Sequence, residues 1–316
     1  MIRAVCRPWV VAALLAFSLG GCYRPDTSKQ LIVVIVPSQD NPFFKAEADA
    51  AAARATSLGY RVRVDAHDDN AYRQDNLIDA AIASNAAAII LDNAGADSSV
   101  AAVRRATKAG IPCFLIDREI NITGIAKAQI IADNHQGSVI VAQDFVEALR
   151  LAGGPYVELL GRESDTNAQV RTNGFHSVLD LHPNLVRVAA QSANWSQSEA
   201  FQKTETILQA HKDMKGILAG NDTMALGALA AVKSAGRRGI VISGFDGSPD
   251  AVAAIRAGDL RATALQPAVL IARLAVNEAD EFLRKGSTQK PERQIISCEL
   301  VTQKNADDFQ DFEKVR

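Results

Sequence analysis

The sequence predicts an α/β protein made of two doubly wound parallel-sheet halves. Apolar runs of strand length recur from residue 31 to 265, alanine-rich helical stretches lie between them, and the second half echoes the first. The runs at 87–91, 111–116 and 240–244 are almost continuously apolar, as parallel strands covered on both faces must be. With 316 residues, 48% of them hydrophobic, the chain is long enough for two domains of roughly 150 residues each.

Residues 1–21 form a processing signal. Arg3 and Arg7 precede an uncharged apolar run over 9–19, which is shorter than the ~20 residues needed to span a bilayer. The run ends Leu19-Gly20-Gly21-Cys22, a match to the bacterial lipobox. Cys22 is therefore the expected lipidated N-terminus, and the protein is expected in the periplasm or at the cell surface, held on a bacterial membrane by acyl chains. Residues 22–30 are polar and read as a tether.

Strands are expected at 31–36, 60–64, 87–91, 111–116, 129–132, 156–160, 186–191, 216–219, 240–244 and 261–265. Helices are expected at 44–58, 97–109, 198–211, 223–235 and 267–285; Gly59 and Gly110 follow the first two as αL caps. Cys113 and Cys298 both lie in strand-like runs and would share an oxidising compartment. They are a candidate disulfide or two buried thiols. The five histidines have no metal-ligand spacing, and nothing calls for a metal or cofactor.

Lys and Arg total 34 against 36 Asp and Glu, so the basic surplus that nucleic-acid binding needs is absent. No phosphate loop, dinucleotide glycine fingerprint, nucleophile elbow or zincin motif occurs, which argues against an enzyme. Instead, polar and aromatic residues gather after predicted strand ends. They are Asn41, Phe43 and Phe44, then Asn93, Asp117 and Arg118, then Arg171, Trp195, Asn221, Asp246 and Gln266. Ligands of open parallel sheets bind beyond the carboxyl ends of the strands. Two guanidinium groups and two carboxylates sum to zero charge, which suits a neutral hydroxyl-rich ligand better than an anion. Flat aromatic rings can cover the C–H faces of a sugar. A cation or donor beside each carboxylate would keep it ionised and so unfit as a general acid.

Each residue also has a plainer reading. Phe43 and Phe44 could be core, Asp117 and Arg118 a structural ion pair, and Asp246-Gly247 a turn. Asn221 and Asp222 could divide their work, with Asp222 capping the next helix. Glu47 and Asp49 read as a solvated helix face.

Asn41-Pro42-Phe43-Phe44, Asp117-Arg118 after Gly110-Ile111-Pro112, the stretch from Asn221 to Ala228, and Gly244-Phe245-Asp246-Gly247 occur in one order. In this the chain resembles the ribose-binding-protein group of periplasmic sugar-binding proteins, over residues 31–303. The resemblance implies a type I periplasmic binding protein fold with two lobes and a three-segment hinge. The lobes would be residues 31–132 plus 267–297, and 133–266 plus 298–316. It implies that Asn41, Asp117, Arg118, Arg171, Asn221, Asp246 and Gln266 bond a sugar, that Phe43, Phe44 and Trp195 stack on it, and that Asn93 is a further ligand. Trp195 stands where ribose binders of the group tend to carry Phe. A ribose-like pentose is the first expectation, and a four- or five-carbon polyol the alternative. The implied role is that of a monomer delivering its ligand to an ABC transporter permease, with a chemoreceptor as the alternative partner.

Overall fold

The computed structural model describes residues 30–149 and 153–315. The expected signal, Cys22 and the tether as far as residue 29 lie outside the described residues. The chain begins β1 (Leu31–Val36), α1 (Pro42–Ser57), β2 (Arg61–Ala66), α2 (Ala71–Ala83), β3 (Ala88–Leu91), α3 (Val100–Lys108), β4 (Cys113–Ile116), β5 (Ala128–Ala132) and α4 (Asn134–Leu149). It continues β6 (Gly154–Leu160), α5 (Thr166–Leu179), β7 (Leu185–Ser192), α6 (Gln197–Ala210), β8 (Gly216–Ala219), α7 (Asp222–Ser234), β9 (Val241–Ser243), α8 (Pro249–Arg256) and β10 (Ala262–Leu265). Last come α9 (Ala268–Lys285), β11 (Arg293–Ile296), β12 (Glu299–Thr302) and a small hairpin of β13 (Phe309–Gln310) and β14 (Glu313–Lys314).

Two six-stranded sheets result, in the orders β11-β5-β4-β3-β1-β2 and β12-β10-β9-β8-β6-β7. All pairs are parallel except β12 against β10, where Val301 faces Thr263. The chain passes between the sheets after β5, after β10 and between β11 and β12. The apolar run at 295–300 is thus not one strand. It breaks at Ser297 and Cys298, sending Ile295 to pair with Ile131 in one sheet and Leu300 with Ala264 in the other.

Strands β1, β3 and β4 are almost wholly buried, as their unbroken apolar runs require, whereas β2 at the sheet edge is half-exposed. Helices α2, α4, α5 and α8 lie where the sequence reading placed no helix. Helix α5 carries too many polar residues to read as amphipathic, yet it packs closely on α4 because Gly174 has no side chain. A Cβ there would lie 2.6 Å from Ser138 Cβ.

Cys113 and Cys298 are free thiols, which removes the disulfide alternative. Cys113 belongs to the apolar cluster on one face of the first sheet, and Cys298 to a different cluster, where it packs against Gly137. The C-terminal hairpin is held by helices from both sides. Arg256 of α8 donates to the carbonyls of Ala306 and Phe309, and Arg273 of α9 pairs with Glu313 at 2.8 Å.

Helix α9 ends in Gly286 at φ 78, with nothing near enough to obstruct a Cβ. Gly286→Ala should therefore isolate the left-handed backbone cost, lowering stability by about 1 kcal/mol in urea unfolding.

Candidate functional site

The polar residues converge because of the topology. Asn41, Asn93, Asp117 and Asn134 follow the carboxyl ends of β1, β3, β4 and β5. Asp165, Trp195, Asn221, Asp246 and Gln266 follow those of β6 to β10. Both sheets turn these ends toward one gap, which holds a small, tightly packed cavity. It is lined by Asn41, Phe43, Phe44, Asp117 and Arg171, by Trp195, Asn221 and Asp246, and by Asp165 and Asn167.

Local structure fixes each group. Asn41 caps α1, its side-chain oxygen accepting from the Phe43 N–H at 3.0 Å, and Pro42 occupies a first-turn position where no N–H is needed. Asn221 caps α7 in the same manner, accepting from the Met224 N–H at 2.9 Å. The expected division of labour with Asp222 is therefore corrected. Asn221 both caps and lines the cavity, while Asp222 turns away to accept from the Ser248 N–H at 2.7 Å. In both caps the bonded oxygen leaves the amide N–H groups available to a ligand.

Arg171 is held by four bonds. Its Nε donates to Asn134 Oδ1 at 2.7 Å, and one terminal nitrogen donates to the Gly220 carbonyl and to Asp246 at 2.8 and 3.1 Å. The other donates to Gln266 Oε1 at 2.7 Å. The guanidinium stacks 3.9 Å from the Phe245 ring centroid. The Trp195 indole lies on a floor of glycine, where a Cβ at Gly161 would fall 2.0 Å from the ring. Its Nε1–H donates to Asp165 Oδ2 at 3.1 Å. Asp117, Trp195 and Asp246 all sit at positive φ, an uncommon conformation for residues with side chains that recurs at functional sites.

Three expected ligands do not line the cavity. Asn93 is buried and bonds the Arg118 carbonyl at 2.7 Å and the Gly95 N–H at 3.0 Å. Gln266 stands behind Arg171 and Asp117, bonded to both. Arg118 is almost fully buried, with its guanidinium 2.8 Å from Asp69, 2.8 Å from Asp165, 3.5 Å from Asp92 and 3.8 Å from Asp117. The plainer reading of Asp117-Arg118 as part of an ion network describes this geometry. Phe43 meets both the cavity and the core, packing edge-on against Phe44 and Phe312 at 5.6 Å.

The expected charge balance also changes. Three carboxyls (Asp117, Asp165 and Asp246) but one guanidinium, Arg171, line the cavity, so it is still less suited to an anion. Nor do the neighbouring cations hold the carboxyls in their ordinary range. Burial pushes Asp117 up to about 6, with Asp165 adding to the rise and Arg118 and Arg171 opposing it. Burial likewise raises Asp246 despite Arg171. Glu47 is not on a solvated face. It is wholly buried, and burial, Asp92 and Asp117 raise its pKa. Asp49 is exposed.

Asp165 and Asn167 were missed by the sequence reading. The signal that could have found them is their place just after β6, the same rule that located the others. Asn167 Nδ2 donates to Asp117 Oδ1 at 3.1 Å, joining the two sides of the gap.

Arg118 lowers the pKa values of Glu47, Asp69, Asp92 and Asp117. Without it these carboxyls would titrate higher, and their repulsion would be felt above those values and relieved below. Arg118→Met should therefore cost about 3–5 kcal/mol at pH 8, the scale of breaking a buried pair, and less at pH 5. Urea midpoints at both pH values check this, and an equal loss at the two would contradict it.

Residues 32–287 match the model of the periplasmic binding protein domain family. The chain is 55% identical over 298 residues to a D-apiose import binding protein of Paraburkholderia graminis, covering 94% of this chain and 95% of that protein. It is 52% identical to a D-apiose import binding protein of Actinobacillus succinogenes, covering 95% and 97%. An ABC transporter periplasmic solute binding protein from Actinobacillus succinogenes 130z, solved with bound D-allose, superposes with a TM-score of 0.83 at 27% identity, covering 89% of this chain and all of that one. A fold of two parallel-sheet lobes, a polar gap at their strand ends and likeness along nearly the whole chain make this protein a member of the periplasmic binding protein family.

Proposed function

We propose that this chain is the solute-binding protein of a sugar ABC importer and that its sugar is D-apiose, a branched pentose. The observation that carries the sugar reading is the lining of the small cavity between the sheets, which is rimmed by carboxyls, one guanidinium and two helix-capping amides and faced by aromatic rings. Each sugar hydroxyl both donates and accepts. Asp117 and Asp246 are its acceptors, and Arg171, Asn41 and Asn221 its donors. Trp195, Phe43 and Phe44 cover the C–H faces. The two D-apiose import binding proteins, each more than half identical to this chain, favour D-apiose over ribose. Membership of a solute-binding family supports capture rather than catalysis.

Capture works by closure. Residues 31–132 with 267–297 move against 133–266 with 298–316, hinged where the chain crosses between sheets. Cys22 carries the lipid that tethers the monomer to the membrane beside its permease.

Calorimetry should give 1:1 binding of D-apiose, tighter than D-ribose, myo-inositol or D-allose. No heat with D-apiose removes the ligand reading, and silence across the panel removes sugar binding itself. Arg171→Ala and Asp246→Ala each leave a buried polar partner unpaired, so each should weaken binding about 30-fold or more.

A hydroxyl bonds an ionised carboxylate more strongly than a neutral one. Affinity should therefore be full only well above pH 6, the region to which Asp117 is raised, and fall several-fold as pH drops through it to 5. Asp117→Asn should bind more weakly at pH 7.5 and show a flatter profile. An unchanged profile in that variant would assign the dependence to another group. Co-purification with a permease, against a chemoreceptor, tests the partner.

A further inference from the structure

The carboxylate of Asp165 serves three partners in three different structural units. Its Oδ1 caps α5 through the Asn167 N–H at 2.9 Å, and α5 is the helix that carries Arg171. Its Oδ2 accepts from the Trp195 indole at 3.1 Å and lies 2.8 Å from Arg118 Nε. Asp165 and Trp195 follow strands of the second sheet, whereas Arg118 follows β4 of the first. The Arg118–Asp165 ion pair therefore crosses the gap. A second pair crosses beside it, Arg162 to Asp69 at 3.3 Å, and Asp69 also holds Arg118 at 2.8 Å. Charges alternate along the row Arg162, Asp69, Arg118, Asp165, so each inner member has an opposite charge on both sides.

If the lobes part as proposed above, Asp165 would lose Arg118, which lies on the other sheet, but keep its helix cap and its indole partner on its own. Arg118 keeps Asp69, Asp92 and Asp117 on its own side. On the closure reading above, this crossing ion pair would exist only while the gap is closed. At Asp165 Oδ2 this ion pair meets the hydrogen bond from Trp195 Nε1, whose ring faces the cavity. Glycine at 161 and 220 lets the indole lie flat there but offers it no side-chain support. Asp165 is the hydrogen-bond partner of its Nε1.

We infer that Asp165 is a positioning residue for sugar capture, one carboxylate that sets the Trp195 ring and clasps Arg118 across the closed gap, so that it governs how slowly the sugar leaves. This rests on the sugar-capture reading above, though not on which sugar is captured.

A clasp made after encounter acts on dissociation and not on association. Asp165→Asn and Asp165→Ser both keep a good helix-capping side chain while removing the charge. Stopped-flow tryptophan emission, for which Trp195 is the one tryptophan among the described residues, should show D-apiose leaving each variant about 30-fold faster, on the scale of losing one partner of a buried charged pair. Association should stay within about threefold, and the melting temperature without sugar should stay close to wild type. Asp165→Glu, which restores the charge, should recover part of the slow release.

Unchanged dissociation overturns the inference, as does a loss carried by slower association. A fall in ligand-free melting temperature matching the loss of affinity also overturns it, because the residue would then be only a structural cap. Failure of both the Asn and Ser variants to fold would overturn it for the same reason. If the wild-type protein binds D-ribose and not D-apiose, the ligand reading fails alone, and the same rates are measured with D-ribose. Silence to every sugar of the panel overturns both.

Discussion

Polar groups cannot be left dry without partners, and this constraint shapes the gap between the two sheets. Parallel strands deliver their carboxyl ends to one edge, and here two such edges face each other. The groups they carry must bond one another, bond across the gap, or bond a ligand. Asp117 meets the first two in one side chain and faces the cavity as well. It lines the cavity, sits beside Arg118 of its own side, and accepts from Asn167 and Gln266 of the other.

The electrostatics follow from that crowding. Arg118 faces Asp69, Asp92, Asp117 and Asp165, and one positive charge cannot neutralise four negative ones. Burial raises Asp92, Glu47 and Asp117 despite it, so part of the cluster is held toward the neutral form. A cavity with this surplus of carboxyls disfavours anions and favours donors of many hydrogen bonds. That selection is made before any single contact chooses among sugars. On the second side, Arg171 is fixed by four bonds and two aromatic rings, so its side chain has little freedom left to lose.

Much of this was legible in the chain because parallel sheets announce themselves. Unbroken apolar runs mark strands covered on both faces, and the residue after each run marks the ligand edge. That rule placed Asn41, Asp117, Trp195, Asn221 and Asp246 beside one cavity without any knowledge of how the sheets face. It did not separate residues that touch the cavity from those one bond behind it. Asn93, Arg118 and Gln266 obey the same rule, yet each turns its polar atoms to protein partners. Helices α2, α4, α5 and α8 were not placed, although α8 buries a face of Ala251, Val252 and Ile255; α5, rich in polar residues, is the one whose pattern is weakest.

The sequence by itself determined the alternation of strand and helix, the two-part architecture and the polar character of the strand ends, since these depend on residue type and local spacing. Tertiary structure decided what depends on distance between segments far apart in the chain. It kept Cys113 and Cys298 apart as free thiols, split one apolar run between two sheets, and buried Glu47 on what reads as a solvated helix. It also brought Asp165 to Arg118. Side-chain chemistry is written locally, but burial and partnership arise only when distant segments are packed together, and they set the charge a carboxyl carries and the group it holds.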